Sequence, residues 1–128
     1  MEYLEIQNHP RPDFRRDLAH LLDGQWELRE DPQNKGLREK WQSSTTFGKR
    51  GQAITIPFAI DDQPEQSLTL GKSNVFWYLK SFSNPLLEAK FKNLLVQPSV
   101  HLVIGACDYH TTVFLNGQEA GQHSGGYT

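Results

Sequence analysis

Residues 100–128 read VHLVIGACDYHTTVFLNGQEAGQHSGGYT. Val100, Leu102 and Ile104 alternate with His101 and Val103, and the alternation returns from Thr111 to Leu115, just before Asn116-Gly117. Period-2 alternation places successive side chains on opposite faces of a strand. Asn-Gly is the pair that best accepts the two positive φ angles of a two-residue hairpin turn. The stretch therefore predicts strands over 100–104 and 111–115, a turn at 116–117, and a returning strand over 118–123.

Outward from this hairpin, the same period recurs. From Gln25 to Glu30, Trp26 and Leu28 alternate with Glu27 and Arg29, the pattern of a half-buried strand. Ala53-Ile-Thr-Ile-Pro57 reads as a short strand stopped by proline, and Val75 to Phe82 has the aromatic and β-branched content of another, ended by Asn84-Pro85. Between them lie a turn-rich polar segment, Asp31 to Lys40, and a long polar loop, Asp61 to Asn74. Residues 1–13 read as an irregular arm because Pro10 and Pro12 each remove a backbone donor. Phe14, Leu18, Leu21 and Leu22 fall at helical spacing behind Asp13, a residue able to cap, so local pattern predicts a short helix there. The spacing from Leu86 to Leu95 fits a helix or an irregular connection. Strands separated by turns, with so little helix, predict an all-β antiparallel sandwich rather than a parallel α/β sheet.

Composition sets the outer bounds. The 128 residues suit one domain, and Leu, Ile, Val and Phe supply a quarter of them, enough for a core. With 13 Lys+Arg against 15 Asp+Glu the formal net charge is -2, which argues against a phosphate-binding surface for nucleic acid. One cysteine, Cys107, precludes an internal disulfide framework. No basic segment followed by an apolar stretch opens the chain, and no window reaches the ~20 apolar residues of a membrane span, so a cytoplasmic protein without membrane contact is expected.

Few residues suggest chemistry by their spacing. His9, His20, His101, His110 and His123 show no metal-ligand pattern, so no metal and no cofactor is expected. Cys107 acts as a nucleophile only beside a base, and His110 is the local candidate; a small buried thiol is the plainer reading. Carboxylates such as Glu39, Asp61, Glu88 and Glu119 offer no distinguished pair, and most sit in segments read as solvated loops. Asp108 differs in lying between two apolar runs, where a carboxylate wants backbone donors. Gly105, Gly117, Gly121, Gly125 and Gly126 match no phosphate-cradling motif and read as turn glycines. Trp26 and Trp77 alternate within strands and read as core, whereas Trp41, between Lys40 and Gln42, is the aromatic least committed to a core.

The ordered set of motifs resembles the N-terminal region of glycoside hydrolase family 2, the family of β-galactosidases, β-glucuronidases and β-mannosidases. The strongest part is Val100 to Thr128, with its G-x-x-D-Y segment, its V-x-x-N-G hairpin and its G-x-H-x-G-G-Y-T tail. Supporting matches follow in the family's order: Asn8-His-Pro-Arg-Pro12 with Arg16, Leu22-Asp-Gly-Gln-Trp26, Asp31-Pro-Gln-Asn-Lys-Gly36, Ile56-Pro-Phe58, and Val75-Phe-Trp-Tyr78 with Phe82. The N-H-P-R-P arm and the D-P-x-N-x-G segment are most similar to the β-galactosidase branch.

The resemblance implies a jelly-roll β-sandwich of the galactose-binding-like type, the sugar-binding domain, with residues 1–22 an arm and 23–128 a sandwich lacking its last strands. It treats Arg16 to Leu22 as extended chain, against the local helix pattern. It implies that the catalytic residues lie elsewhere, in a barrel absent from these residues, so none is assigned and the chain alone is expected to be inactive. Trp41, His123 and Tyr127 are the candidates to face sugar, while Asp108, Asn116, Gly117, Gly125 and Gly126 carry the structural motif. In some relatives an acid in the loop after the hairpin reaches substrate; here that loop reads Gln122-His-Ser-Gly-Gly126 and supplies none. Implied partners are carbohydrate and the family's immunoglobulin-like and barrel domains or another subunit. The alternative is a free-standing carbohydrate-binding or structural interaction module.

Overall fold

A computed structural model describes residues 20–43, 51–57, 73–87 and 100–126. Five strands account for most of the regular structure among them: β1 (Gly24–Glu30), β2 (Gln52–Ile56), β3 (Phe76–Leu79), β4 (His110–Leu115) and β5 (Gln118–Ser124). A 3-10 turn at Pro85–Leu87 follows β3, closed by Leu87 N donating to Asn84 O and Leu86 N to Asn84 Oδ1. The chain divides into two compact units: residues 23–81 with 112–121, and residues 1–22 with 82–111 and 122–128.

The first unit holds a three-stranded antiparallel sheet in the order β2-β1-β3. Register assigns its faces. Trp26 lies opposite Ile54, and Leu28 lies opposite Gln52 and Tyr78, so these share one face. Glu27 lies opposite Ala53 and Leu79, and Arg29 opposite Trp77, on the other. Leu28 and Ile54 are the buried aliphatic residues of the first face. The second face is covered as well, because Trp41 meets Trp77 edge-on with ring centroids 6.0 Å apart and Phe114 of β4 stacks on Trp77 at 5.9 Å. Consecutive residues Leu28 and Arg29 are therefore both buried. The half-buried strand expected from alternation is in fact covered on both faces at this point, since two tryptophans and a phenylalanine roof the side that carries the charges.

β4 and β5 form a hairpin through Asn116 (φ 49°) and Gly117 (φ 82°), the two positive angles that Asn-Gly predicts. All-β antiparallel architecture is thus present as expected, and β1, β2, β4 and β5 fall within a residue of the strands expected there. Two strand expectations change. The run from Val75 to Phe82 contributes only Phe76–Leu79. Val100 to Ile104 forms no strand, and among the described residues its aliphatic side chains are exposed. Alternation describes how a strand would present its faces, but a strand needs a partner ladder, and no described strand pairs with this run. Leu21 to Asp23 forms no helix; the rest of the expected helix near Phe14 and Leu18, most of the Asp61 to Asn74 loop and most of Leu86 to Leu95 lie outside the described residues.

Candidate functional site

The segment Asp31-Pro-Gln-Asn-Lys-Gly36 leaves β1 and folds back on its first side chain. Asp31 is 1% exposed, and its carboxylate accepts Lys35 N on Oδ1 at 2.8 Å, Gly36 N on Oδ2 at 2.8 Å and Trp77 Nε1 on Oδ2 at 3.1 Å. Its own N–H donates to Val75 O at 2.8 Å, and its carbonyl accepts Asn34 N at 3.1 Å. Asn34 adopts a left-handed φ of 49°, which asparagine tolerates better than most residues. Burial pushes the Asp31 carboxyl up, but the Lys35 and Gly36 N–H bonds, the Trp77 indole and the Lys35 charge outweigh it. The carboxyl is held below its ordinary value of 3.8.

Gly36 is required by space. A Cβ on it would lie 2.5 Å from Cε2 and Nε1 of Trp77, inside the indole's contact distance. The chain then turns through Glu39 N to Lys35 O and Trp41 N to Gly36 O, both at 2.9 Å, which brings Trp41 over the sheet. Trp41 is 3% exposed. The Arg29 guanidinium carbon sits 3.2 Å from its ring centroid, a close cation–π contact. Its Nε1 donates to Glu39 Oε2 at 2.9 Å, and Lys35 Nζ lies 3.3 Å from Glu39 Oε1. The Trp41 bond is the main reason that the Glu39 carboxyl is held below its ordinary value, with Lys35 and Arg29 adding to it against a desolvation that raises it.

Beside this loop runs an open groove of about 410 Å³, lined by Arg29, Glu30, Pro32, Gln33, Lys35, Trp41 and Gln52. Its walls combine two cations, one carboxylate, two amides and a proline ring.

The residues that sequence singles out are distributed differently. Trp41, the candidate for a sugar platform, is an interior ring whose face is occupied by Arg29. His123 is exposed on β5, in the other unit, and Tyr127 lies outside the described residues. Asp108 is exposed to water rather than sheltered among backbone donors as expected, so solvent meets its charge. A Cβ on Gly126 would stand 3.8 Å from Asp108 Oδ1. Gly125 takes a φ of 131° and donates its N–H to Tyr109 O at 2.7 Å. The Cys107 thiol is half-buried, and the His110 ring has Ser124 as its partner, with Nδ1 2.8 Å from Ser124 Oγ. Among the described residues no group of three His, Cys, Asp or Glu is placed to hold a metal ion, and no helix is long and apolar enough to cross a membrane.

Sequence reading missed Asp31 and Arg29 as a centre. The signal was present as D-P-x-N-x-G followed five residues later by tryptophan, but a turn-rich polar stretch gives no sign that its first carboxylate is buried.

The chain is 25% identical over 118 residues to a beta-glucuronidase from Paenibacillus borealis, a match that covers 92% of this chain and 18% of that protein. The chain thus spans less than a fifth of that relative's length. No family model and no solved structure matches it. The similarity points to a relationship with glycoside hydrolases.

Proposed function

We propose that this chain is a non-catalytic β-sandwich portion of a family 2 glycosidase, with the jelly-roll topology and sugar-binding-domain position of that family. The carrying observation is the similarity to the Paenibacillus borealis beta-glucuronidase across 92% of the chain but only 18% of that protein. The buried chemistry agrees with a supporting role, because the Asp31 carboxylate spends its acceptors on the chain's own N–H groups. The parent reaction in this reading is retaining hydrolysis of a terminal O-glycosidic bond, with two carboxylates roughly 5–5.5 Å apart on a separate barrel. The sandwich supports that barrel, and the whole acts in cytoplasmic carbohydrate metabolism.

Two measurements test the reading. Purified chain incubated with nitrophenyl β-glucuronide and nitrophenyl β-galactoside is expected to release no nitrophenol above blank; turnover that follows the protein through purification overturns the non-catalytic assignment. The genomic locus is expected to encode a glycosidase barrel in the same or an adjoining frame. A locus without one overturns the glycosidase assignment and leaves a free-standing binding or interaction module.

A further inference from the structure

Four asparagines lie among the described residues, Asn34, Asn74, Asn84 and Asn116, and all four are exposed. What separates them is the backbone nitrogen that follows each. We propose that Asn116 is a self-modifying site: its side-chain amide is lost to attack by the Gly117 nitrogen, and the isoaspartate that results unseats the tip of the β4–β5 hairpin from the sheet beneath it. The proposal is independent of the glycosidase reading.

The reaction needs only water. The nitrogen of the following residue gives its proton to solvent and bonds to the asparagine Cγ. The Cγ–Nδ2 bond breaks, and the amide nitrogen leaves as ammonia after taking up a proton, which closes a succinimide. Water then opens that ring at Cγ to give aspartate, or at the main-chain carbonyl to give isoaspartate. One water enters, one ammonia leaves, and nothing is oxidised or reduced.

An available nucleophile therefore decides which asparagine reacts. After Asn34, the Lys35 N–H donates to Asp31 Oδ1 at 2.8 Å. After Asn74, the Val75 N–H donates to Ser73 Oγ at 3.2 Å. After Asn84 comes Pro85, which has no N–H. Among the described residues, by contrast, the Gly117 N–H and the Asn116 side chain make no hydrogen bond, and Gly117 carries no Cβ to crowd the approach. Asn34 is the closest comparison, because its φ of 49° equals that of Asn116. The two share a backbone conformation and differ in whether the attacking nitrogen is held.

The position gives the reaction a structural effect. Residues 112–121 belong to the same compact unit as the three-stranded sheet. Phe114, two residues before Asn116, stacks on Trp77 at 5.9 Å. A Cβ on Gly117 would stand 4.0 Å from Gln42 O, so the turn lies against the segment that carries Trp41. Isoaspartate routes the backbone through Cβ and Cγ, adding a methylene to a two-residue turn whose length sets the register of both strands. Aspartate adds no backbone atom, and Asp-Gly suits the same turn. The effect on Phe114 thus belongs to the isoaspartate product.

The experiment ages the full chain in mildly alkaline buffer, with and without urea, and follows each asparagine by peptide mass and by enzymatic methylation of isoaspartate. In the folded chain Asn116 is expected to convert at least about tenfold faster than Asn34, since releasing a nitrogen from a carboxylate adds that factor or more to the barrier. The isoaspartate fraction, separated by ion exchange, is expected to show altered tryptophan fluorescence and a lowered urea midpoint, and the aspartate fraction neither. Asn116→Gly keeps a residue suited to the turn and is expected to age without either change. An Asn116 that converts in urea but not in the folded chain, or an Asn34 that converts as fast, overturns the site. An isoaspartate fraction with wild-type fluorescence and midpoint overturns the effect on the hairpin.

Discussion

The indole N–H of Trp77 donates to Oδ2 of Asp31 at 3.1 Å across 46 residues of sequence. This bond ties β3 to the loop that leaves β1, and the same carboxylate holds two loop N–H groups. Removing it leaves three donors, one buried and two partly buried, without their acceptor. Asp31→Ala is therefore expected to cost about 2–4 kcal/mol, read as a fall in the urea midpoint at unchanged slope. A loss within experimental error would mean that the loop holds together without its carboxylate.

The same group gives a pH signature. Its carboxyl is held below the ordinary 3.8 in the folded chain, so the folded state binds its proton less readily than the unfolded state does. The stabilisation is fully present above the unfolded value and is lost as pH falls through the folded one. Urea midpoints measured for wild type and Asp31→Asn should differ most near neutrality and converge as pH falls below the ordinary aspartate value. A constant difference down to that range would remove the charge from the account.

Gly36 and Gly121 make a matched test of space. A methyl group on Gly36 meets the Trp77 ring at 2.5 Å, whereas nothing lies within 4 Å of one on Gly121. Gly36→Ala should destabilise by about 1–3 kcal/mol through overpacking, and Gly121→Ala should fall within about 0.5 kcal/mol of wild type. Equal effects of the two would show that the loop shifts to make room.

Trp41 separates packing from hydrogen bonding. Trp41→Phe keeps an aromatic surface for Arg29 but gives up the bond to Glu39, and should cost about 0.5–1.5 kcal/mol. Trp41→Ala removes the interior ring and should cost about 3–5 kcal/mol. Thermal or urea unfolding orders the two, and an Ala variant as stable as Phe would place the ring outside the core.

How far the sequence was legible follows from these residues. β1 and the β4–β5 hairpin could be read because their signals are local: Trp26 and Leu28 alternate within six residues, and Asn116-Gly117 sets its own turn. Asp31 could not be read as buried, because what buries it is Trp77, 46 positions away. Trp41 was read as uncommitted for the same reason, since its lysine and glutamine neighbours say nothing of Arg29, twelve residues back on another element. The D-P-x-N-x-G pattern was legible as a family resemblance while its physical purpose, a carboxylate closing its own loop, came only from the fold. Val100 to Ile104 shows the opposite failure, a clear local pattern with no described strand to complete it.

That run gives the last prediction. Val100, Leu102, Val103 and Ile104 are 63, 50, 55 and 37% exposed, a short aliphatic stretch in water. Contiguous exposed apolar surface promotes association. The wild-type chain is expected to elute larger than a monomer as concentration rises, as measured by light scattering coupled to gel filtration. Leu102→Glu places a charge at the centre of the stretch and, because the side chain is already half in solvent, should leave the urea midpoint within about 0.5 kcal/mol of wild type. Its association should weaken clearly at the same concentrations. A variant that associates as strongly as wild type would mean that contact runs through another surface, and one that loses stability would mean that Leu102 is packed against its own chain.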